Sequence, residues 1–473
     1  MKKMKKRLNF LGMVFTVTGL FSLPVFSGEP VPYQAAASPP ALIQATDTRT
    51  LLNGLRIEIL SMPQAPRVSL HLLIGAGSAL DPVGKAGMAE LTMATLIQSV
   101  PDWQGDPQVI TRVVEAGRNF RYEVEWDTTH LFAECAPDEI SIYLQALTRF
   151  VRYTTLSPVR FEKVRSDFMK AAAEEKPSPR LSAEKNFDRI LFRGNPYARP
   201  LKGTADTLKN IVFGDTVGFQ RKYHLPNVSF LSVVGPVQAD ELRSLAGRYL
   251  GIWIMDRAFP YTFTPAVPPK ALQVASLDAP DSAETVLIVG QLMVPRGSSD
   301  FVAVELLADI LQSTRWESFP DARVSGELTA RKLKGSLRFI VQKQGLAVGK
   351  ALGEIRQRWA QLAQTGPSAD ECSSAVSRYL STLQEKARSS SVLARMLCLA
   401  DAYQLGFNFF ERLKSTLPRI SPADLRLTAQ KHLTPDQILA VVSGPLSEPD
   451  KEELRKQGWA VVPPEMPVPV SKP

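Results

Sequence analysis

Two distant stretches of the chain follow one plan. Pro226-Asn227-Val228-Ser229-Phe230-Leu231-Ser232-Val233-Val234-Gly235-Pro236 and Pro435-Asp436-Gln437-Ile438-Leu439-Ala440-Val441-Val442-Ser443-Gly444-Pro445 both run from a proline through an apolar strand to Gly-Pro. Each follows a helical pattern and precedes an acid-rich helix start, Asp240-Glu241 in one case and Glu452-Glu453 in the other. Self-similarity at this scale implies a duplicated unit, and 473 residues are enough for two of them. The starts of the two units also agree. Thr285 to Gly290 reads as a strand like Val68 to Gly75. Ala303, Leu306, Leu307, Ile310 and Leu311 make a helical stripe like that of Ala89, Met93, Leu96, Ile97 and Val100.

Within the units, strands and helices mix without strict alternation. Asn53-Gly54 is a hairpin turn, followed by the alternating strand Leu55 to Leu60. Arg121 to Trp126 and Thr129 to Cys135 read as paired antiparallel strands, and Ser141 to Tyr153 and Ser157 to Glu175 as helices. The fold class expected is α+β: two similar halves, each an antiparallel sheet covered by helices on one face. The boundaries expected are an N-terminal half over residues 49–255, a Pro-rich linker over 256–281, a C-terminal half over 282–460 and a Pro-rich tail over 461–473.

Ahead of these lies a basic start, Met1 to Arg7, and an apolar run from Leu8 to Phe26. This has the form of a secretory signal peptide over residues 1–27, followed by a Pro/Ala-rich linker over 28–48; an uncleaved anchor is the alternative. No later stretch is long and apolar enough to span a bilayer, so no stable membrane span is expected after cleavage. A periplasmic location follows as the expectation. Of the formal charge of +9, the leader carries +5, leaving +4, and no basic stripe with interleaved aromatics occurs, so nucleic acid is not an expected partner. Cys135, Cys372 and Cys398 lack zinc-site or disulfide-framework spacing and read as small buried hydrophobes; pairing of Cys372 with Cys398 in an oxidising compartment is the alternative, though both lie in helical-looking stretches. His71, His130, His224 and His432 show no metal-ligand spacing; His224 and His432 end helices, where a cation suits the dipole.

One short stretch carries the functional argument. Gly75-Ala76-Gly77-Ser78 leads into a helix opening Gly87-Met88-Ala89 and continuing Glu90-Leu91-Thr92-Met93-Ala94. It resembles the core of the insulinase/pitrilysin-like zinc peptidases, which include the mitochondrial processing peptidase. In that family the helix carries His-x-x-Glu-His. Two histidines four apart share one helix face and one zinc ion, with the glutamate as general base on zinc-bound water. Here the histidine positions hold Glu90 and Ala94, and the glutamate position holds Met93. Anchored on Glu174-Glu175-Lys176-Pro177, the third ligand position falls at or near Ala171, and a small slip brings in Glu174 or Glu175. A catalytic zinc takes three protein ligands; these vacated positions do not supply them. The plainer reading of Glu90 is a solvated or capping residue in a first helical turn.

The resemblance covers nearly the whole chain after the leader, including the loop Asn195 to Thr204, and implies a clamshell arrangement. Family members also carry an Arg and a Tyr, seven apart, that bind substrate backbone near the zinc of a facing unit. Arg331 matches the first; Arg338 stands where the tyrosine belongs. The plainer reading is a basic turn before strand Leu337 to Val341. The expected function is that of a non-catalytic partner of a zinc-bearing homologue, with zinc only on the partner chain and peptide held in a shared chamber. The rival is a stand-alone periplasmic scaffold or peptide-binding module.

Overall fold

The computed structural model describes residues 47–99, 106–153, 156–176, 178–260, 262–277, 282–406, 408–444 and 446–462. The signal peptide, nearly all of the linker that follows it, Val100 of the apolar stripe, and the tail from residue 463 lie outside the described residues.

The chain forms two similar halves, each built on a six-stranded sheet. The first sheet comprises β1 (Asp47–Thr50), β2 (Arg56–Ser61), β3 (Val68–Ile74), β4 (Arg121–Val124), β5 (Thr129–Cys135) and β6 (Ser229–Gly235), in the order β1-β2-β6-β3-β5-β4. The second comprises β7 (Gln273–Leu277), β8 (Thr285–Met293), β9 (Arg323–Leu328), β10 (Gly335–Lys343), β11 (Leu439–Ser443) and β12 (Ala460–Val461), in the order β12-β7-β11-β8-β10-β9. The repeated Pro-to-Gly stretches are β6 and β11, which occupy the same place in their sheets.

Two details depart from the sequence reading. β2 pairs with β6, and β7 with β11, in parallel, so each sheet is mixed rather than purely antiparallel. The segment taken as linker contributes β7, which lies between β11 and β12. Short polar and proline-containing flanks hid this five-residue strand.

The first half adds helices α1 (Met88–Gln98), α2 (Pro107–Arg118), α3 (Ile140–Thr148), α4 (Pro158–Glu174), α5 (Pro179–Leu191), α6 (Ala205–Lys209), α7 (Phe213–Tyr223) and α8 (Ala239–Leu250). The second adds α9 (Phe301–Ser313), α10 (Val348–Gln364), α11 (Ala369–Lys386), α12 (Ser390–Ala402), α13 (Phe409–Thr416), α14 (Pro422–His432) and α15 (Glu448–Lys456). Most helices cover one face of their own sheet.

The other face of each sheet is covered by a helix from the opposite half. α12 lies across β3 and β6, and α5 lies across β8 and β11. Strand β8 shows the result residue by residue. Leu287, Val289 and Met293 enter the second half's own core, whereas Val286, Ile288 and Leu292 pack with Phe187 and Leu191 of α5. Every residue of β3 and β8 is buried, as two-sided cover requires. Cys135, Cys372 and Cys398 are buried free thiols.

Candidate functional site

Strand β3 ends in the Gly75-Ala76-Gly77 turn, which is pressed against the β4–β5 connection. A Cβ on Gly77 would stand 2.3 Å from the Glu125 carbonyl oxygen. Ser78 and Ala79 donate their amides to the Glu125 and Trp126 carbonyls at 2.9 and 2.8 Å. Buried Asp81 then receives the amides of Gly87, Met88 and Ala89 at 2.8, 3.2 and 2.9 Å, satisfying the free donors at the start of α1. Burial nonetheless pushes its carboxyl up to about 7, against the pull of those amides and Arg199. The Asn195–Thr204 loop braces the same end. Thr207 Oγ1 donates to the Ala86 carbonyl at 2.9 Å, and a Cβ on Gly203 would lie 2.3 Å from that oxygen.

The frame of the motif is therefore intact. Its three positions on α1 are all buried: Glu90 is 8% exposed, Met93 1% and Ala94 3%. Glu90 is not a solvated cap. Its Oε1 accepts a hydrogen bond from Tyr122 Oη at 3.2 Å, and burial raises its pKa, with Lys202 opposing. Met93 and Ala94 belong to the first half's apolar core. Ala171 lies on the exposed side of α4, whose buried face is Phe161 and Val164. Glu174 and Glu175 are exposed and pair with Lys170 at 3.9 Å and Lys185 at 2.5 Å. The donor set at this position does not fit a zinc ion: one engaged carboxyl, a thioether in apolar packing and a methyl group. Among the described residues no group of three His, Cys, Asp or Glu is placed to hold a metal.

Arg331 and Arg338 are both engaged by side chains of this same chain. The Arg331 guanidinium stacks 3.8 Å from the centre of the Trp126 ring and 5.4 Å from that of Tyr197, both in the first half. Around it, Asp127 accepts Tyr197 Oη at 2.6 Å and the Lys332 amide at 2.7 Å. Arg338 is a buried strand residue, not part of a solvated turn. Its Nε donates to Glu327 at 2.8 Å and its Nη1 stands 3.5 Å from Asp188 on α5. Both arginines join the halves to each other.

Two arrangements had no clear signature in the sequence. Beside α1, the short strand β4 ends the first sheet, and Tyr122 on it holds Glu90. On the opposite face of that sheet His71 Nε2 and His130 Nδ1 meet at 2.8 Å. His71 shares strand parity with Ser69 and Leu73, and that alternation was the available signal. His224 is also buried, and burial lowers its pKa to about 4, so it ends its helix uncharged rather than as a cation. Where the halves meet, a cleft of about 330 Å³ opens beside Gly75, lined by Asp127, Tyr223, Phe259, Lys332 and Asp401 among others.

This architecture is that of the two-domain insulinase-type peptidases, and the insulinase family (peptidase family M16) profile matches residues 56–205. Within that matched stretch the chain is similar to the family but lacks its His-x-x-Glu-His motif. It is 20% identical over 240 residues to an uncharacterized zinc protease of Rickettsia bellii (strain RML369-C), covering 51% of this chain and 57% of that protein. The chain thus spans little more than half the length of the curated relative it matches. Its fold is similar to a peptidase M16 inactive domain from Pseudomonas fluorescens, with a TM-score of 0.76, 18% identity, and coverage of 85% of this chain and 98% of that one. It is also similar to the periplasmic protease PqqL of Escherichia coli, with a TM-score of 0.70 and 16% identity, covering 88% of this chain but 49% of PqqL.

Proposed function

We propose that this chain is a non-catalytic insulinase-like subunit that closes a chamber with a zinc-bearing homologue and holds extended peptide there. The observation that carries the proposal is the pairing of a vacated motif with an intact frame around it. Asp81, the Gly77 turn and the Asn195–Thr204 loop still fix α1 beside edge strand β4. A terminal strand has free backbone donors and acceptors on one side, and an extended peptide can add to it without any metal on this chain. Zinc, in this reading, belongs to the partner alone. That the chain matches about one half of PqqL supports a need for a second such unit, here supplied by another polypeptide. The periplasm is the proposed location, after removal of residues 1–27. Among the described residues no helix is long and apolar enough to cross a membrane.

The rival, a stand-alone scaffold, is favoured by one observation: the arginines expected to reach substrate are engaged within the chain. Mild affinity purification from the native envelope, with mass spectrometry and a zinc assay, separates the two. A stoichiometric zinc-bearing homologue supports the subunit, and a metal-free protein without such a partner overturns it. Strand addition has its own check. Peptides bound by the complex should lose affinity when alternate backbone amides are N-methylated, and unchanged affinity would refute binding at β4.

A further inference from the structure

The two exchanged helices have different seats. α5 rests on a largely apolar face: Val286, Ile288, Leu292, Ile340, Leu439 and Val441. α12 rests on a face that is mostly polar and titratable. Ser390 Oγ meets Ser69 Oγ at 2.8 Å, Arg395 reaches Glu123 and Glu125 at 2.5 and 2.6 Å, and Cys398 Sγ lies 3.2 Å from Ser232 Oγ. At its C-terminal end Asp401 adjoins Glu58 on β2, and Arg56 reaches Asp401 at 2.7 Å. Glu58 Oε2 and Asp401 Oδ2 are buried without a hydrogen-bond donor. One proton held between the two carboxyls satisfies both oxygens; without it, two buried carboxylates from opposite halves face each other. Midway along the helix, beneath Arg395, the His71–His130 contact has one ring nitrogen donating and one accepting. Thr128 Oγ1 takes up the far nitrogen of His130 at 2.9 Å.

We infer that α12 is a proton-controlled latch: it stays seated on the first half's sheet only while Glu58 and Asp401 share a proton and the His71–His130 pair is uncharged. The charged and titratable groups facing these two points are few. Arg56 on β2 and the Cys398 thiol on α12 adjoin the carboxyls. Arg395 adjoins the histidines, with Glu123 and Glu125 behind it and Phe132 stacked on His71. Burial, followed by the facing Asp401, pushes Glu58 up to about 8. Burial, followed by Arg395, holds both histidines well below the usual imidazole value.

The two linkages have opposite signs. The carboxyl pair binds its proton more tightly when seated, so seating weakens as pH rises from the free carboxyl value to about 8. The imidazoles bind protons more tightly when released, so seating weakens as pH falls below about 6.5. The latch is therefore firmest near pH ~6.5. Opening rises about tenfold per pH unit from there to about 8 and levels off beyond it. On the acid side two imidazoles gain protons against one carboxyl, again giving about tenfold per unit.

Cys398 reports on the seat, because it is wholly covered while α12 is down. Its alkylation by iodoacetamide is followed from pH 5 to 9 in the full-length protein by peptide mass spectrometry, normalised at each pH to the urea-unfolded chain. Cys135 and Cys372 are buried elsewhere, one in each half, and label only on wider unfolding. The expected result is selective labelling of Cys398 with a minimum near pH ~6.5. In Glu58→Gln the amide donates to Asp401 at every pH, so the alkaline rise disappears and the acid limb steepens. Labelling that is independent of pH, that strikes all three cysteines together, or that keeps its alkaline rise in Glu58→Gln overturns the latch.

Discussion

Arg338→Met tests whether this arginine is a strut between the halves. Met preserves much of the stem's packing and removes the charge. The guanidinium is buried between Glu327 and Asp188. Removing one member of a buried ion pair typically costs about 3–5 kcal/mol, because the other charge is left without compensation. Glu327 keeps a second partner, Arg180 at 3.0 Å, whereas Asp188 keeps only the weaker attraction of Arg331 and is the carboxylate left poorly compensated. Burial already raises the Asp188 pKa, which makes protonation its way out. These points place the loss at the low end, about 3 kcal/mol at pH 7. Adding Asp188→Asn removes the stranded charge and should restore about 2 kcal/mol. The loss in the single variant should also shrink as pH falls toward the ordinary carboxylate range, because a raised folded-state pKa adds stability that is present at low pH and lost as pH rises. Urea unfolding of both variants at pH 7 and pH 5 measures all of this. A loss below about 1 kcal/mol, or one that Asp188→Asn does not reduce, would refute the strut. So would a selective loss of peptide affinity in a variant of normal stability.

Three further outcomes are expected. Restoring the motif with Glu90→His, Met93→Glu and Ala94→His should give no stoichiometric zinc by elemental analysis, because Ala171, on the exposed side of α4, supplies no third ligand; it should lower stability by several kcal/mol, since a carboxylate replaces a core methionine. Gly290→Ala should cost about 3 kcal/mol in urea unfolding, because its Cβ would meet the Leu337 carbonyl oxygen at 2.3 Å and Phe187 of α5 at 2.6 Å; a neutral result would refute close seating of α5. Hydrogen bonds from Lys431 and His432 hold the Asp300 carboxyl down at about 2. Asp300→Asn should therefore cost about 1 kcal/mol at pH 7, after allowance for solvent screening, and the cost should fade between pH 4 and 2, where wild type itself takes up the proton.

The sequence made the duplication legible because a strand bounded by proline and glycine is a local signal, and β6 and β11 both carry it. The hairpin at Asn53-Gly54 and the β4–β5 pair were legible for the same reason. What escaped is non-local. Parallel pairing of β2 with β6 joins residues far apart in the chain and leaves no mark in either strand. The exchange of helices left a trace in β8, where Val286 to Val289 run apolar without alternation, which fits a strand covered on both faces; β3 hides it, because Ser69 and His71 alternate with its apolar residues. The sequence does not say which helix provides the second cover. Glu90 illustrates the same limit. A carboxylate in a first helical turn is ordinarily solvated, but here Tyr122, from a strand some thirty positions onward, encloses it.

The helix exchange also has a consequence for the order in which the protein can be made. The first sheet is complete once Gly235 has been synthesised, yet the face bearing His71, Leu73 and Ser232 has no cover until Ala402 follows. α5 waits longer still, since its seat on β11 is not finished before Ser443. For most of translation an assembled first half therefore carries one bare sheet face and one amphipathic helix with nowhere to dock. A chain cut within residues 256–281 would keep both exposed for good. The halves mature together, and a nascent chain of this kind is a natural client for a holding chaperone until its last strands arrive.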